Sequence, residues 1–481
     1  MAHEFARSAL IAHMRILALA LATIVGCAPV TGSSPTLPLT ATPTPTAPAT
    51  TTADASATAT VPTRTSVAAT PSQPASQRPS PSIVISGDVV SSSASRVAAD
   101  PNAAKRAATG IQALALDLYR ELAVERTNLA FSPYSAASAL AMTRVGAAGR
   151  TAQEMDQVLH AAQIGDVDAA FNALDLALAK RAGSYPSFGG ASLDLATANR
   201  LWAQRDFHFE NAFLDGLSAY YGAGVGVVDF VNARDAARGA INKWVSDRTK
   251  ARIPELVKDG ILDELTRFVL TNAIYMKAQW TRPFPKTATK AAPFRRLDGT
   301  EVSAQLMADF KSFPYAKSGE IQAIGLPYVG GLSMVAIVPD AGTFAAFERS
   351  MDAQRISSIV DALQFQAVDL RFPRFTFRTA APLKPALTHL GMRLAFTEAA
   401  DFSGISRQEH LILQNALQET FIAVDEEGTE ATAATAFFGG ATGGPSQWVE
   451  LTVDRPFLFL VRDDETGAIL FLGRVLDPTA G

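Results

Sequence analysis

The chain has one cysteine in 481 residues, Cys27. That excludes an internal disulfide framework and any metal site built on several thiolates. It also lacks an excess of charge of either sign. Forty-two Lys and Arg against 46 Asp and Glu leave a formal charge of −4, so bulk electrostatics point to no nucleic acid or other polyanion as partner. His160, His208, His389 and His410 are scattered singly, and Glu409-His410 has no second histidine four residues on, so the helical zinc-protease motif is missing. Gly331-Leu332-Ser333-Met334-Val335 lacks the second glycine of a nucleophile elbow. In Gly222-Ala223-Gly224-Val225-Gly226 the third glycine is misplaced for a dinucleotide loop, and no Lys-Ser/Thr follows for a phosphate loop, so the run reads as a turn. These absences leave no motif for an enzyme, and no cofactor or metal is expected. A hydrolase would need a site without a recognisable signature.

Long apolar runs are lacking as well. The run 16–25 is too short to span a bilayer, and Arg7 and Arg15 supply positive charge ahead of it. Ile24-Val25-Gly26-Cys27 closes it and resembles a bacterial lipobox, in which the cysteine becomes the lipidated first residue of the mature chain. Residues 1–27 are therefore expected to be a lipoprotein-type signal peptide. Lipid on Cys27 would tether the protein to a membrane outside the cytoplasm. A plain signal peptide with an incidental cysteine, and hence secretion, is the alternative. From 28 to 101 Thr, Pro, Ser and Ala dominate, with too little apolar bulk to offset ordering entropy, so a disordered stalk is expected.

Globular patterning starts at 102 and runs to 481, with 48% hydrophobic residues in the whole chain, enough for a sizeable core. Ile111, Leu114, Leu118 and Leu122 recur at helical spacing, so 103–125 reads as an amphipathic helix. Ser132-Pro133 provides a cap and a first-turn proline for a small, apolar and hence buried helix over 134–145. Thr151-Ala152-Gln153-Glu154 has the spacing of a capping box. Strands are expected at 193–204, 224–230, 268–275, 321–328, 332–338, 368–377, 414–424, 449–453, 456–462 and 469–476, with a helix over 233–250. Helices early and strands late favour one large α+β domain over repeated βαβ units.

One stretch resists assignment. Asp425-Glu426-Glu427-Gly428-Thr429-Glu430-Ala431-Thr432-Ala433-Ala434-Thr435-Ala436 starts acidic, passes one glycine, and continues in small residues. Alone it reads as a flexible linker. Its surroundings change that reading. Asn128-Leu129-Ala130-Phe131-Ser132-Pro133-Tyr134-Ser135, Asn272-Ala273-Ile274-Tyr275-Met276-Lys277-Ala278-Gln279-Trp280, Ala400-Asp401-Phe402-Ser403-Gly404-Ile405, Asp454-Arg455-Pro456-Phe457-Leu458-Phe459-Leu460 and Phe471-Leu472-Gly473-Arg474-Val475 follow one another as similar segments do in the serpins. The region 103–478 resembles that family, and the unassigned stretch falls where serpins carry the hinge of their reactive loop.

The resemblance implies an α+β fold with a large central mixed sheet, smaller sheets, about eight to nine helices and an exposed loop. It implies a monomeric inhibitor of serine proteases, with cysteine proteases as a further target class, that acts as a suicide substrate. The protease cleaves the loop as an acyl-enzyme, and the cut loop inserts into the main sheet before hydrolysis is complete. A non-inhibitory serpin serving as a binding or structural cell-surface protein is the alternative. Within the hinge (Glu426, Gly428, Thr429, Ala431, Ala433, Thr435), Gly428 permits the bend, and period-two alternation puts Thr429, Ala431, Ala433, Thr435 and Phe437 inward and Glu430 outward. Ser132, Ser135, Asn272 and Gln418 resemble the shutter cluster beneath the opening sheet. Gln418 stands where family members often place a histidine. Trp280 resembles the aromatic of the breach, where insertion begins, with Arg374 and Glu426 as its ion pair. Counting from the hinge puts the bait bond at Thr442-Gly443, with Ala441 a neighbouring candidate. Counting back from Pro456 gives a later position near Pro445. Small uncharged bait residues favour elastase-like or subtilisin-like targets.

Overall fold

The computed structural model describes residues 82–86, 88–430 and 447–480. Cys27 and most of the expected stalk lie outside the described residues, as do Ala431, Ala433, Thr435, Phe437, Ala441, Thr442, Gly443 and Pro445.

Two large sheets and ten α-helices make up the described residues, and one hydrophobic cluster runs through most of the domain. The first helix, Pro101–Leu122, starts where Asp100 accepts from the Asn102 amide and buries a stripe that includes Ile111, Leu114 and Leu118. The second, Pro133–Arg144, is capped by Ser132, whose hydroxyl accepts from the Ser135 amide. Nearly every side chain on it is buried, and it touches both sheets, through Phe268–Gln279 of the first and Ile469–Val475 of the second. Its small residues are what permit that close approach.

The first sheet is built around Phe268–Gln279, twelve residues of which all but Lys277 are buried. Antiparallel to one edge run Ala191–Thr197 and Arg200–Gln204 in a single register, Thr197 opposite Ile274 and Arg200 opposite Thr271. On its other side lie Asn415–Val424, in parallel, and then Phe375–Pro382. The second sheet has nine strands, eight in one continuous path and Lys290–Arg295 branching from it. It departs from the expected set of smaller sheets because the 18-residue strand Glu301–Ser318 bridges two groups, pairing with Lys290–Arg295 and Gln364–Pro373 and also with Ile321–Pro327.

Three readings are corrected. The run 368–377 is not one strand: Gln364–Pro373 belongs to the second sheet and Phe375–Pro382 to the first, with Arg374 between them. Proline at 373 has no N–H to continue a ladder, and the chain changes sheets there. Thr151 caps no helix, because Gly149–Val158 begins two residues earlier and Thr151 is buried, accepting from the Asp401 amide. The ordered chain also begins before 102. Ile83–Ser86 and Val89–Ser92 form a hairpin, Ser86 opposite Val89, whose second strand joins the sheet edge at Val225–Val228. Short runs of β-branched residues, Ile83-Val84-Ile85 and Val89-Val90, on either side of Gly87-Asp88 carry that hairpin signal inside a Ser-rich composition.

Candidate functional site

The two central strands of the first sheet are joined in one half and parted in the other. From Asn415 to Thr420 the strand Asn415–Val424 pairs directly with Val269 to Ile274. Further along, Gly428–Thr429 is seated between them: Thr429 lies opposite Val424 on one side and Ala278 on the other, and Gly428 lies opposite Gln279. The stretch that reads as a linker in isolation is here a strand of two residues inside a sheet.

The turn leading into it has its own bonds. The Asp425 carboxylate accepts from the amides of Glu427 (2.8 Å) and Gly428 (3.2 Å), and the Asp425 amide donates to the Gly428 carbonyl. This is the Asx type of turn, in which a side chain replaces a backbone acceptor. Burial pushes the Asp425 carboxyl above its usual range, and the two amide bonds only partly oppose that. Gly428 has φ +152°, and a Cβ there would overlap the Ala278 carbonyl oxygen, so the seat is reserved for glycine by space as well as conformation. Thr429 is 3% exposed, with its hydroxyl 2.5 Å from the Tyr328 hydroxyl. Tyr328 stacks on Trp280 at 4.2 Å between ring centroids, and the Trp280 indole N–H donates to the Asp425 carbonyl at 3.0 Å. The Trp280 amide donates to the Glu427 carbonyl as well.

Both glutamates of the turn are buried. The Glu426 carboxylate accepts from the Thr289 hydroxyl at 2.6 Å and lies 3.6 Å from the Arg374 guanidinium. Glu427 meets the Lys286 ammonium at 2.5 Å, and this contact raises the Lys286 pKa. Glu430 turns away from Thr429 with φ +56° and meets Arg252, while its amide donates to the Ala423 carbonyl.

At the joined end, polar side chains form a row across three strands. Asn199 faces Asn272 in the antiparallel register, and Gln418 faces Asn272 in the parallel one. The Gln418 amide donates to Asn272 Oδ1 and to the Ser132 carbonyl, and its oxygen accepts from the Ser132 amide at 2.9 Å. Asn272 donates to the Ser135 hydroxyl (2.8 Å) and to Asn199 Oδ1 (3.0 Å), and the Ser135 hydroxyl donates to the same oxygen at 2.7 Å. Buried amides in this number persist only because they satisfy one another.

A sheet split around a seated two-residue segment, over a polar row that ties its strands to a buried helix, fits the family expectation, and the comparisons agree. The profile of the serpin family (serine protease inhibitor) matches residues 109–478. The chain belongs to the serpin family. A serpin-like protein of Thermococcus kodakarensis is 37% identical to it over 382 residues, which is 78% of this chain and 87% of that protein. The leukocyte elastase inhibitor of Sus scrofa is 36% identical over 377 residues, covering 76% of this serpin and 97% of the relative. Among solved structures, the thermophilic serpin tengpin in its native state superposes with a TM-score of 0.70 at 25% identity, covering 80% of this chain and 97% of tengpin. The structure of thyroxine-binding globulin in complex with thyroxine gives 0.68 at 27% identity, covering 77% and 99%.

The described residues that the family resemblance singled out as shutter, breach and hinge in this serpin fall into two places. Ser132, Ser135, Asn272 and Gln418 meet in the polar row, and Trp280, Arg374, Glu426, Gly428 and Thr429 meet at the parted end. Glu430 turns away from Thr429, and there its side chain is 10% exposed, against Arg252. Five participants were missed: Asn199, Thr289, Lys286, Tyr328 and Arg252. Asn199 was reachable from the pattern, since the antiparallel register of 200–203 with 268–271 continues to set it opposite Asn272. The other four are brought to the hinge by chain reversals that no local signal marks.

Proposed function

We propose that this serpin is a suicide inhibitor of serine proteases, held outside the cytoplasm by lipid on Cys27. The reading rests foremost on the seating of Gly428–Thr429. The hinge is already the first rung of a strand between Phe268–Gln279 and Asn415–Val424, so a cut loop would enter by extending what is there. A protease serine would attack the Thr442 carbonyl carbon, release the Gly443 amine, and be carried along as the ester. Insertion would then part the six direct pairs from Asn415–Val269 to Thr420–Ile274 and replace one parallel ladder by two antiparallel ones. If each ladder bond nets about 1 kcal/mol, a dozen new bonds outweigh the six lost by several kcal/mol. Small uncharged residues around Thr442 and the likeness to a leukocyte elastase inhibitor favour elastase-like or subtilisin-like targets.

The test is incubation with a panel of elastase-like, subtilisin-like, trypsin-like and cysteine proteases, followed by denaturing gels and mass spectrometry of the released C-terminal peptide. A detergent-stable complex with an elastase-like or subtilisin-like enzyme is expected. Clean cleavage with no complex would assign the chain to the non-inhibitory serpins instead. Thr429→Arg is expected to convert inhibitor to substrate. It would place a charge beside the buried Tyr328 hydroxyl, at a cost of several kcal/mol unless paired, and so slow insertion until hydrolysis wins.

A further inference from the structure

The strand Arg200–Gln204, the C-terminal end of helix Arg234–Arg248 and the segment around Ser91 enclose a cavity of about 520 Å³ on the side of the sheet away from the hinge strands. Three arginines line it, Arg96, Arg200 and Arg248, and none of its described lining residues is acidic. In a chain of net charge −4 that separation is not an average of the surface.

The three guanidinium groups differ. Arg96 is committed, to Asp175 at 2.7 Å and to the Asn172 side chain at 2.8 Å. Arg200 and Arg248 have no carboxylate or carbonyl acceptor among the described residues; they rest on aromatic faces, Arg200 over Trp244 (4.3 Å) and Trp202 (5.3 Å), and Arg248 over Trp244 (5.7 Å). Burial, and secondarily the nearness of Arg248, lower the Arg200 pKa to about 10. A half-buried guanidinium without an acceptor beside a second like charge is unfavourable on both counts, and an anion entering the cavity relieves both. Guanidinium forks match carboxylate and phosphate oxygens in pairs, and Ser91 and Thr197 add hydroxyls to the same wall. The volume suits a compact ligand.

We propose that Arg200 and Arg248, with Trp244 as the apolar wall, form a binding site for a small multivalent anion carrying phosphate or carboxylate groups. Asn199 lines the cavity too, so an occupant sits directly behind the polar row that joins the central strands.

The full chain is titrated with pyrophosphate and, separately, with citrate, at an ionic strength held constant with sodium chloride so that simple screening does not vary. Tryptophan fluorescence is the readout: of the chain's four tryptophans, Trp244 lines the cavity. We expect a saturable change with a half-point below about 1 mM for at least one of the two anions, and the one that saturates identifies the ligand class. Arg248→Gln, at an exposed position that keeps the fold, weakens it about tenfold or more, as does Arg200→Gln. Absence of saturation with both anions overturns the proposal, and so does wild-type affinity in folded Arg248→Gln.

Discussion

Asp425 carries two opposed effects in one side chain. Its carboxylate closes the hinge turn through the Glu427 and Gly428 amides, and the burial that comes with the turn raises its pKa. For an acid, a folded pKa above the unfolded one means that the charged form costs stability. That cost is present in full above the folded pKa and is gone below the ordinary aspartate value of about 3.9. Asparagine keeps the accepting oxygen and removes the charge. Asp425→Asn is therefore expected to melt at or above the wild-type temperature at neutral pH, with a difference that shrinks as the pH falls toward 4; a difference independent of pH would show that the charge carries no cost. The polar row should contribute no such dependence. Gln418, Asn199, Asn272, Ser132 and Ser135 carry amides and hydroxyls that do not titrate in this range. At this scale the sequence was only partly legible. The acidic run at 425–427 reads as surface, yet Glu426 and Glu427 are buried. Each is tolerated because of a partner far along the chain, Thr289 and Arg374 for one and Lys286 for the other. Only Arg374 was visible beforehand, and only through the family resemblance.

Among the elements, the proposed mechanism turns on the pair Phe268–Gln279 and Asn415–Val424. A strand entering below Thr429 would have to separate Gln418 from Asn272, and the row would then act as a latch on the joined half. Gln418→Leu keeps the volume but orphans the Ser132 amide and the Asn272 oxygen, while the Ser132 carbonyl keeps its bond from the Ala136 amide. Each orphaned group costs about 1–3 kcal/mol. We expect a clearly lower melting temperature and faster hydrogen exchange across 415–420 and 269–274 than across the second sheet; unchanged exchange there would remove the latch from the mechanism. The elements themselves were largely readable, because most are either long and periodic or apolar runs bounded by turns. The helix Pro133–Arg144 follows from its cap, its proline and its small residues. The strand Glu301–Ser318 was missed because its burial alternates irregularly along 18 residues, blurring the period-two signal. The break at Arg374 was missed because apolar residues flank it on both sides, and one proline was the only hint.

At the scale of the molecule, what was legible was the order of family-like segments, and that order brackets the hinge; what was not legible is how far the hinge enters. Linker and strand have the same composition here, small residues with threonine. Which one is realised depends on whether a slot exists between two strands more than a hundred residues apart in sequence. Among the described residues the slot holds two, Gly428 and Thr429, and the central pairing is parallel over six residues where a longer antiparallel arrangement would be available. On the proposed mechanism, cleavage within 431–446 would free the segment to take it. Limited digestion with a subtilisin-like protease at low molar ratio, followed by calorimetry of the cut but unseparated chain, measures the difference. With a net gain of several kcal/mol and an unfolding entropy of about 2 cal/mol/K per residue over the domain, the melting temperature should rise on the order of 5–10 °C. Thr429→Arg, cut at the same bond, should not show the rise. A wild-type chain that melts unchanged after cleavage holds its loop outside the sheet, and the suicide mechanism would then have no driving force.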